Sequence, residues 1–146
     1  MTMWSTVLKS DKYTQGNGML IVELPTDENQ RVTACCMGVL EHVCGVEFIQ
    51  EDDDIYRDEW GADEMPADIV ANAAGLTQKV TFDEVAKLEE MFEGYDSEML
   101  VREGWSRKSV LAQFNDELEV DFEGIAEALI KLEWDVSIEE VKEAIR

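Results

Sequence analysis

Basic residues are scarce in this chain of 146 residues, where 12 Lys and Arg stand against 34 Asp and Glu. The net charge at pH 7 is therefore −22. Proteins that grip phosphate groups need an excess of Lys and Arg, so direct nucleic-acid binding is excluded as the main activity. Long apolar runs are also missing. No run approaches the roughly 18 to 20 residues that cross a bilayer, and no basic region followed by an apolar one opens the chain. We therefore expect a protein of the cytoplasm with no membrane partner.

Cysteine and histidine are few, with three Cys and one His. An odd number of Cys without framework spacing suits a reducing compartment. Cys35, Cys36, His42 and Cys44 together carry the atoms of a zinc site, but adjacent Cys side chains diverge, and His42 would lie about 120° from Cys36 around a helix. We therefore predict small buried thiols and no metal or cofactor. Catalysis by Cys35 or Cys36 remains an alternative from the enzyme class.

Apolar residues make up 45% of the chain, which is enough for a core of ordinary size. The run from Met19 to Leu24 is rich in β-formers, and Arg31 to Cys35 can return as a second strand. From Cys36 the apolar spacing changes to that of a helix, and Gly45 is well placed to end it. We predict one α+β domain over 1–146, with a small antiparallel hairpin packed against four or five helices and a mainly helical segment over 79–146.

Three helix starts share a hydrophobic staple and an N-cap residue, at Thr81, Asp121 and Ser137. Their partners three residues later are Glu84, Gly124 and Glu140. Two of these pairs predict complete capping boxes, whereas Gly124 leaves Asp121 with the N-cap alone. A further helix is predicted around Val110 to Phe114.

The segment over 47–68 is the acidic maximum, with 10 acidic residues and Arg57 as its one basic residue. Because Ile55, Tyr56 and Trp60 interrupt the charge, we predict an ordered loop rather than a disordered tail. An EF-hand that begins at Asp52 would place Tyr56 and Arg57 at its fifth and sixth positions, where a ligand and a glycine are needed. The match fails, so a solvated acidic loop is expected, and weak binding of Ca²⁺ or Mg²⁺ is the alternative.

The total charge invites a comparison with DNA. Duplex DNA carries one charge per ~1.7 Å of its axis, so 22 charges correspond to roughly 37 Å of duplex, close to the ~38 Å diameter of a compact domain of this length. Charges spread over the whole surface would reach only about half that density on each face. Mimicry of DNA would therefore require segregation of carboxylates onto one face. Solubility and adaptation to salt are the alternative reasons for such a surface.

Several short motifs agree in order and spacing with one protein family. They are a Trp-led first segment (Trp4, Leu8, Ser10, Tyr13, Gln15, Gly18), CCxGVL at Cys35 to Leu40, Met65-Pro66 before Ala74-Gly75-Leu76, and Asn115-Asp116 before Phe122, Ile125 and Ala126. In these motifs the chain resembles a family of small tailed-bacteriophage proteins of uncharacterised activity. The resemblance implies a phage origin and a shared architecture, and no activity. It makes Gly38 a site of close helix packing and Asn115 with Asp116 a cap or turn.

We therefore expect a non-enzymatic phage accessory protein that binds a host protein. Its acidic residues would contact a basic surface of that host protein, such as the nucleic-acid groove of a defence or transcription component. The residues expected to contact the partner are Glu51, Asp52, Asp53, Asp54, Asp58 and Glu59, with Tyr56 and Trp60 as aromatic anchors. Because GxSxG, P-loop, dinucleotide and HExxH patterns are absent, an enzyme is the less favoured hypothesis.

A second hypothesis belongs to a different class. It is a small-ligand or nucleotide-binding protein whose pocket lies between the hairpin and the helices, near Trp4, Tyr13 and Gln15. Core packing of Trp4 and a packed turn at Tyr13 are the structural alternatives to that role.

Overall fold

The computed structural model describes residues 1–146, and helices supply most of its regular structure. The eight helices are α1 (Trp4–Lys9), α2 (Cys36–Val43), α3 (Asp68–Ala73), α4 (Phe82–Met91), α5 (Glu98–Arg102), α6 (Arg107–Asp116), α7 (Phe122–Lys131) and α8 (Ile138–Ile145). The predicted number of four or five was too low. The unpredicted α3 and α5 have six and five residues and no side-chain cap, so they are too short to show helical periodicity. None of the eight is long and apolar enough to cross a membrane.

Five short strands form two separate sheets: β1 (Tyr13–Gln15), β2 (Ile21–Glu23), β3 (Val32–Ala34), β4 (Phe48–Asp52) and β5 (Ile55–Asp58). The predicted hairpin is the antiparallel pair of β2 and β3. Strand β1 adds to the other side of β3 in the parallel direction, a long-range pairing that local periodicity cannot indicate. Strands β4 and β5 form the second, antiparallel sheet. The chain is thus a single α+β domain.

The helix starts confirm the capping predictions with one exception. The Thr81 Oγ1 accepts from the Glu84 backbone N–H at 3.3 Å, and the Glu84 carboxylate accepts from the Thr81 backbone N–H at 2.9 Å. Asp121 caps α7 through its side chain. Ser137 caps α8 by accepting from the Glu140 backbone N–H at 3.3 Å, but its box is only half formed, because the Glu140 carboxylate does not accept from the Ser137 backbone N–H.

Asn115 lies inside α6 and does not cap or turn the chain as predicted. Its buried side-chain oxygen accepts from the Gln15 amide at 3.0 Å and from the Cys36 backbone N–H at 3.3 Å. Its amide nitrogen donates to the Gly16 carbonyl at 2.8 Å. The residue therefore joins the end of β1 to the start of α2, a buried role in which every polar atom has a partner.

The acidic segment over 47–68 contains the β4–β5 hairpin, so the prediction of a loop there was wrong. Strand β5 packs against β2 and turns Tyr56 and Asp58 inward, whereas β4 is exposed from Ile49 onward. The missed strands are short, and the acidic residues over 51–54 hide the two-residue alternation that reveals a strand. Strand β4 and the acidic turn of the hairpin are therefore exposed to solvent, while β5 joins the hairpin to the body.

Gly38 supplies the closest backbone approach in the core. A Cβ built at this residue would lie 1.7 Å from the carbonyl oxygen of Leu20. The predicted close packing is present, but the neighbour is the chain entering β2 rather than another helix.

We expect Gly38→Ala to lower the free energy of unfolding by about 1–3 kcal/mol, because backbone must move to admit the methyl group. Gly124→Ala is the matched control. It also replaces a helical glycine, which favours the helix by roughly 1 kcal/mol, and its Cβ meets a Val120 side-chain methyl that can rotate away. Urea unfolding of both variants measures the difference, and equal stabilities would contradict the assignment.

Candidate functional site

The hairpin turn is the most concentrated charge on the surface. Glu51, Asp52, Asp53 and Asp54 are exposed, and the last three make no ion pair with any basic residue of the chain. The Gln50 side-chain amide donates across the turn to the Asp53 carbonyl at 3.0 Å. The hairpin turn, residues 51–54, thus presents three free carboxylates, those of Asp52 to Asp54, on a backbone that hydrogen bonds hold in place.

Arg57 ties the hairpin to the chain that follows it. Its Nε lies 2.5 Å from the Glu51 carboxylate, and its Nη1 lies 3.2 Å from Asp63 and donates to the Gly61 carbonyl at 3.2 Å. The hydrogen bond with Glu51, and then the charges of Glu51 and Asp63, raise the pKa of Arg57. Because exposed ion pairs contribute little to stability, the main effect of these contacts is orientation.

Tyr56 and Asp58 do not lie on the surface where they were predicted to contact a partner. Their exposed fractions are 9% and 2%. Both face inward from β5, because side chains alternate along a strand and its other face meets solvent. Glu59 and Trp60, at the base of the hairpin, are exposed as predicted. The candidate surface thus keeps six of the eight predicted residues.

Arg146 closes the base of the hairpin. Its two terminal nitrogens hold the two Glu59 carboxylate oxygens at 2.5 and 3.2 Å, and one of them donates to the Gly45 carbonyl at 3.3 Å. Its guanidinium carbon lies 5.8 Å from the centre of the Trp60 ring, a cation–π distance. The hydrogen bond from Arg146 lowers the pKa of Glu59. The C-terminal residue therefore belongs to this site, although nothing in the local sequence indicated it.

A pair of buried carboxyls, Glu41 and Asp58, lies beneath the site. One Glu41 oxygen accepts from the Ala67 backbone N–H at 3.1 Å, and one Asp58 oxygen accepts from the backbone N–H groups of Trp60 at 2.9 Å and Ala62 at 2.8 Å. The remaining oxygen of each carboxyl is buried and has no hydrogen-bond partner.

A proton on one of the two carboxyls lowers the cost of burying them close to each other. Burial, followed by the neighbouring Asp58, raises the pKa of Glu41 to about 9. Glu41 therefore keeps its proton at neutral pH. Glu41 directly follows the apolar residues that open α2, a signal that the sequence already contained, and the structure buries it fully, which carboxyls almost never tolerate unless paired.

The rest of the surface is also acidic. Exposed carboxylates occur on α4, α7 and α8 as well as in the hairpin, and only four of the 34 acidic side chains take part in ion pairs. Carboxylates are thus not confined to one face. The hairpin turn differs from the rest of the surface because its four exposed acidic residues are consecutive in the chain.

The cysteines offer no activated nucleophile. Burial raises the pKa of Cys35 and Cys44 to about 11 and that of Cys36 well above its usual value, and the thiolate is the nucleophilic form. The Cys35 sulfur instead accepts from the Gly38 backbone N–H at 3.4 Å at the start of α2. No group of three or more His, Cys, Asp or Glu side chains is arranged to hold a metal ion.

The residues of the small-ligand hypothesis are engaged within the protein. Trp4 is fully buried and donates its indole N–H to the Cys36 carbonyl at 3.0 Å, the Tyr13 hydroxyl lies 2.7 Å from the Nδ1 of His42, and Gln15 donates to Asn115. An open depression of about 390 Å³ does border Tyr13 and Gln15. The Tyr13 hydroxyl and the Gln15 amide nitrogen are already paired inside the fold, so neither is free to orient a ligand there.

Two further depressions were not predicted. A groove of about 470 Å³ lies between Trp60 and Ile69. A cleft of about 570 Å³ borders Trp105, whose indole N–H donates to Glu103 at 3.0 Å. The cleft brings Met65 against residues within 103–117, and the groove forms where the chain over 60–69 folds back on itself; neither arrangement follows from a local sequence pattern.

Comparisons with protein-family models, with curated proteins and with solved structures found no match. The family resemblance stays a prediction, and the candidate site rests on its own geometry.

We expect Glu41→Gln to remove a pH dependence of stability. Between the usual carboxyl value near 4.5 and about 9, folded Glu41 holds a proton that the unfolded chain has lost. Its contribution to stability is therefore complete below the lower value and falls as pH rises, by at most about 1.4 kcal/mol per pH unit. Glutamine stays neutral and can donate to Asp58. The free energy of unfolding of the variant should therefore rise relative to that of the native protein as the pH increases from about 5 to 8.

Urea unfolding across this pH range measures the difference. Glu90→Gln, an exposed carboxylate on α4, is the control and should follow the native curve. Parallel curves for the native protein and Glu41→Gln would show that Glu41 does not keep its proton.

Proposed function

We propose that this chain is a non-enzymatic accessory protein, of phage origin by its resemblance, and that it binds to a basic surface of a host protein. The exposed, unpaired carboxylates of the hairpin turn carry the proposal. A nucleic-acid-binding groove is a suitable target, because it presents Lys and Arg at the spacing of phosphates. Occupation of that groove would block its normal ligand without any chemical step.

Electrostatics supports rapid encounter with such a target. A net charge of −22 with few internal ion pairs attracts a basic surface and speeds association. Screening limits this attraction to about 8 Å at physiological salt, so the carboxylates that project furthest contribute most to final docking. The hairpin turn meets that requirement because its neighbouring strand β4 is also exposed.

The distribution of charge favours contact through the hairpin over imitation of a duplex along a whole face. Acidic side chains on α4, α7 and α8 dilute the contrast between faces. They still contribute to long-range attraction, whereas the hairpin contributes the local fit.

We expect Asp52→Asn, Asp53→Asn and Asp54→Asn together to weaken partner binding about tenfold, because three exposed ion pairs contribute roughly 0.5 kcal/mol each. The amides keep the size of the side chains and remove three charges. The tagged protein is used to recover partners from a bacterial lysate at low and high salt, with quantitative mass spectrometry. Affinities for the recovered protein are then measured by titration, with duplex DNA as a competitor.

Glu90→Gln, Glu93→Gln and Glu127→Gln form the matched control, since they remove the same charge from exposed positions outside the hairpin. The control should retain most of the binding, and the partner should carry a basic surface. The proposal would be refuted if both triple variants recovered equal amounts of the partner, or if the affinity did not change with salt concentration.

A further inference from the structure

The groove beside the hairpin combines exposed apolar walls with a free carboxylate. Trp60 and Ile69 are 39% and 41% exposed, and both line the groove together with Ala62, Pro66 and Asp68. Asp68 is its one charged lining residue, is exposed and makes no ion pair. Two large apolar side chains that share one depression on so acidic a surface are typical of a place where a partner docks.

The walls of the groove are held by the buried carboxyl pair. Asp58 accepts from the backbone N–H groups of Trp60 and Ala62, and Glu41 accepts from that of Ala67. Three successive points on the groove are therefore fixed from below. A groove that is already formed costs little ordering when a partner binds.

The contact between Arg146 and Trp60 shows that a guanidinium group can pack against this indole ring. The Arg146 guanidinium lies over the ring and is held by Glu59, yet Arg146 is not among the residues that line the groove. It therefore covers a different part of the indole and leaves the groove side open. A second guanidinium on that side would meet the indole and the free Asp68 carboxylate in the same combination of aromatic ring and carboxylate that Arg146 meets.

We propose that the groove between Trp60 and Ile69 receives an arginine side chain from a basic segment of the protein partner. This inference rests on the proposed function and names the contact that gives it specificity. Arginine suits the groove better than lysine, because its planar group stacks on an aromatic ring and is less strongly hydrated. The hairpin turn then attracts the basic segment, and the groove selects arginine within it.

Three peptide probes of matched charge test the proposal at about 0.15 M salt: hexa-arginine, hexa-lysine, and a lysine peptide with one added leucine. Calorimetric titration of the native protein should show hexa-arginine binding at least about threefold tighter than hexa-lysine. The indole N–H resonance of Trp60, assigned by its loss in Trp60→Leu, should shift on addition of hexa-arginine.

Ile69→Arg places an arginine of the chain itself in the groove and should remove the preference for hexa-arginine. Ile130→Arg is the matched control, because it makes the same change at a residue that is 50% exposed on α7; it should keep the preference. Both variants are first checked for native thermal unfolding. Trp60→Leu provides a second route to the same loss if Ile69→Arg does not fold.

The outcomes separate the two proposals. If Ile69→Arg and Trp60→Leu keep the preference while the triple Asn variant of the hairpin turn weakens both polycations, the groove proposal is wrong and the acidic hairpin stands. If the triple Asn variant binds both polycations as the native protein does, the proposed function is wrong. Tightest binding by the leucine-containing peptide would assign the groove to an apolar anchor and overturn the choice of arginine.

Discussion

The hydrogen bonds that the backbone donates to two buried carboxyls, Glu41 and Asp58, are the constraint on which the hairpin base and the groove depend. Two neighbouring buried carboxyls cannot both carry charge at low cost, and the raised pKa of Glu41 keeps one of them neutral. Asp58, at the end of β5, accepts from the backbone N–H groups of Trp60 and Ala62, and Glu41 in α2 accepts from that of Ala67 just before α3. The base of the hairpin and the groove beside it take their positions from these bonds.

The excess of negative charge opposes folding through self-repulsion. The four ion pairs offset little of this repulsion. Stability must therefore come from the apolar core around Trp4, Phe114 and Trp134. The basic residues near the hairpin, Arg57 and Arg146, pair with Glu51 and Glu59 and leave Asp52, Asp53 and Asp54 without an ion pair. An arrangement that orients a charged turn without neutralising it suits a surface that meets a basic partner.

Local signals in the sequence predicted the helices that have them. The starts at Thr81 and Asp121 follow from caps whose atoms lie within four residues of each other. Strand β1 could not be predicted, because three residues carry no period and their parallel partner lies far along the chain. Asn115 was misassigned for a related reason: an Asn near a helix end resembles a cap until its buried partners at Gly16 and Cys36 are known.

The sequence by itself determined the charge of the protein, its α+β class and the segment in which the acidic residues are densest. These are properties of composition and of short stretches of chain. Only the tertiary structure decided that Asp52 to Asp54 face solvent while Tyr56 and Asp58 face the core, and that Arg146 meets Trp60. Burial and long-range contact depend on how distant elements pack, and a pattern of neighbouring residues carries no record of that packing.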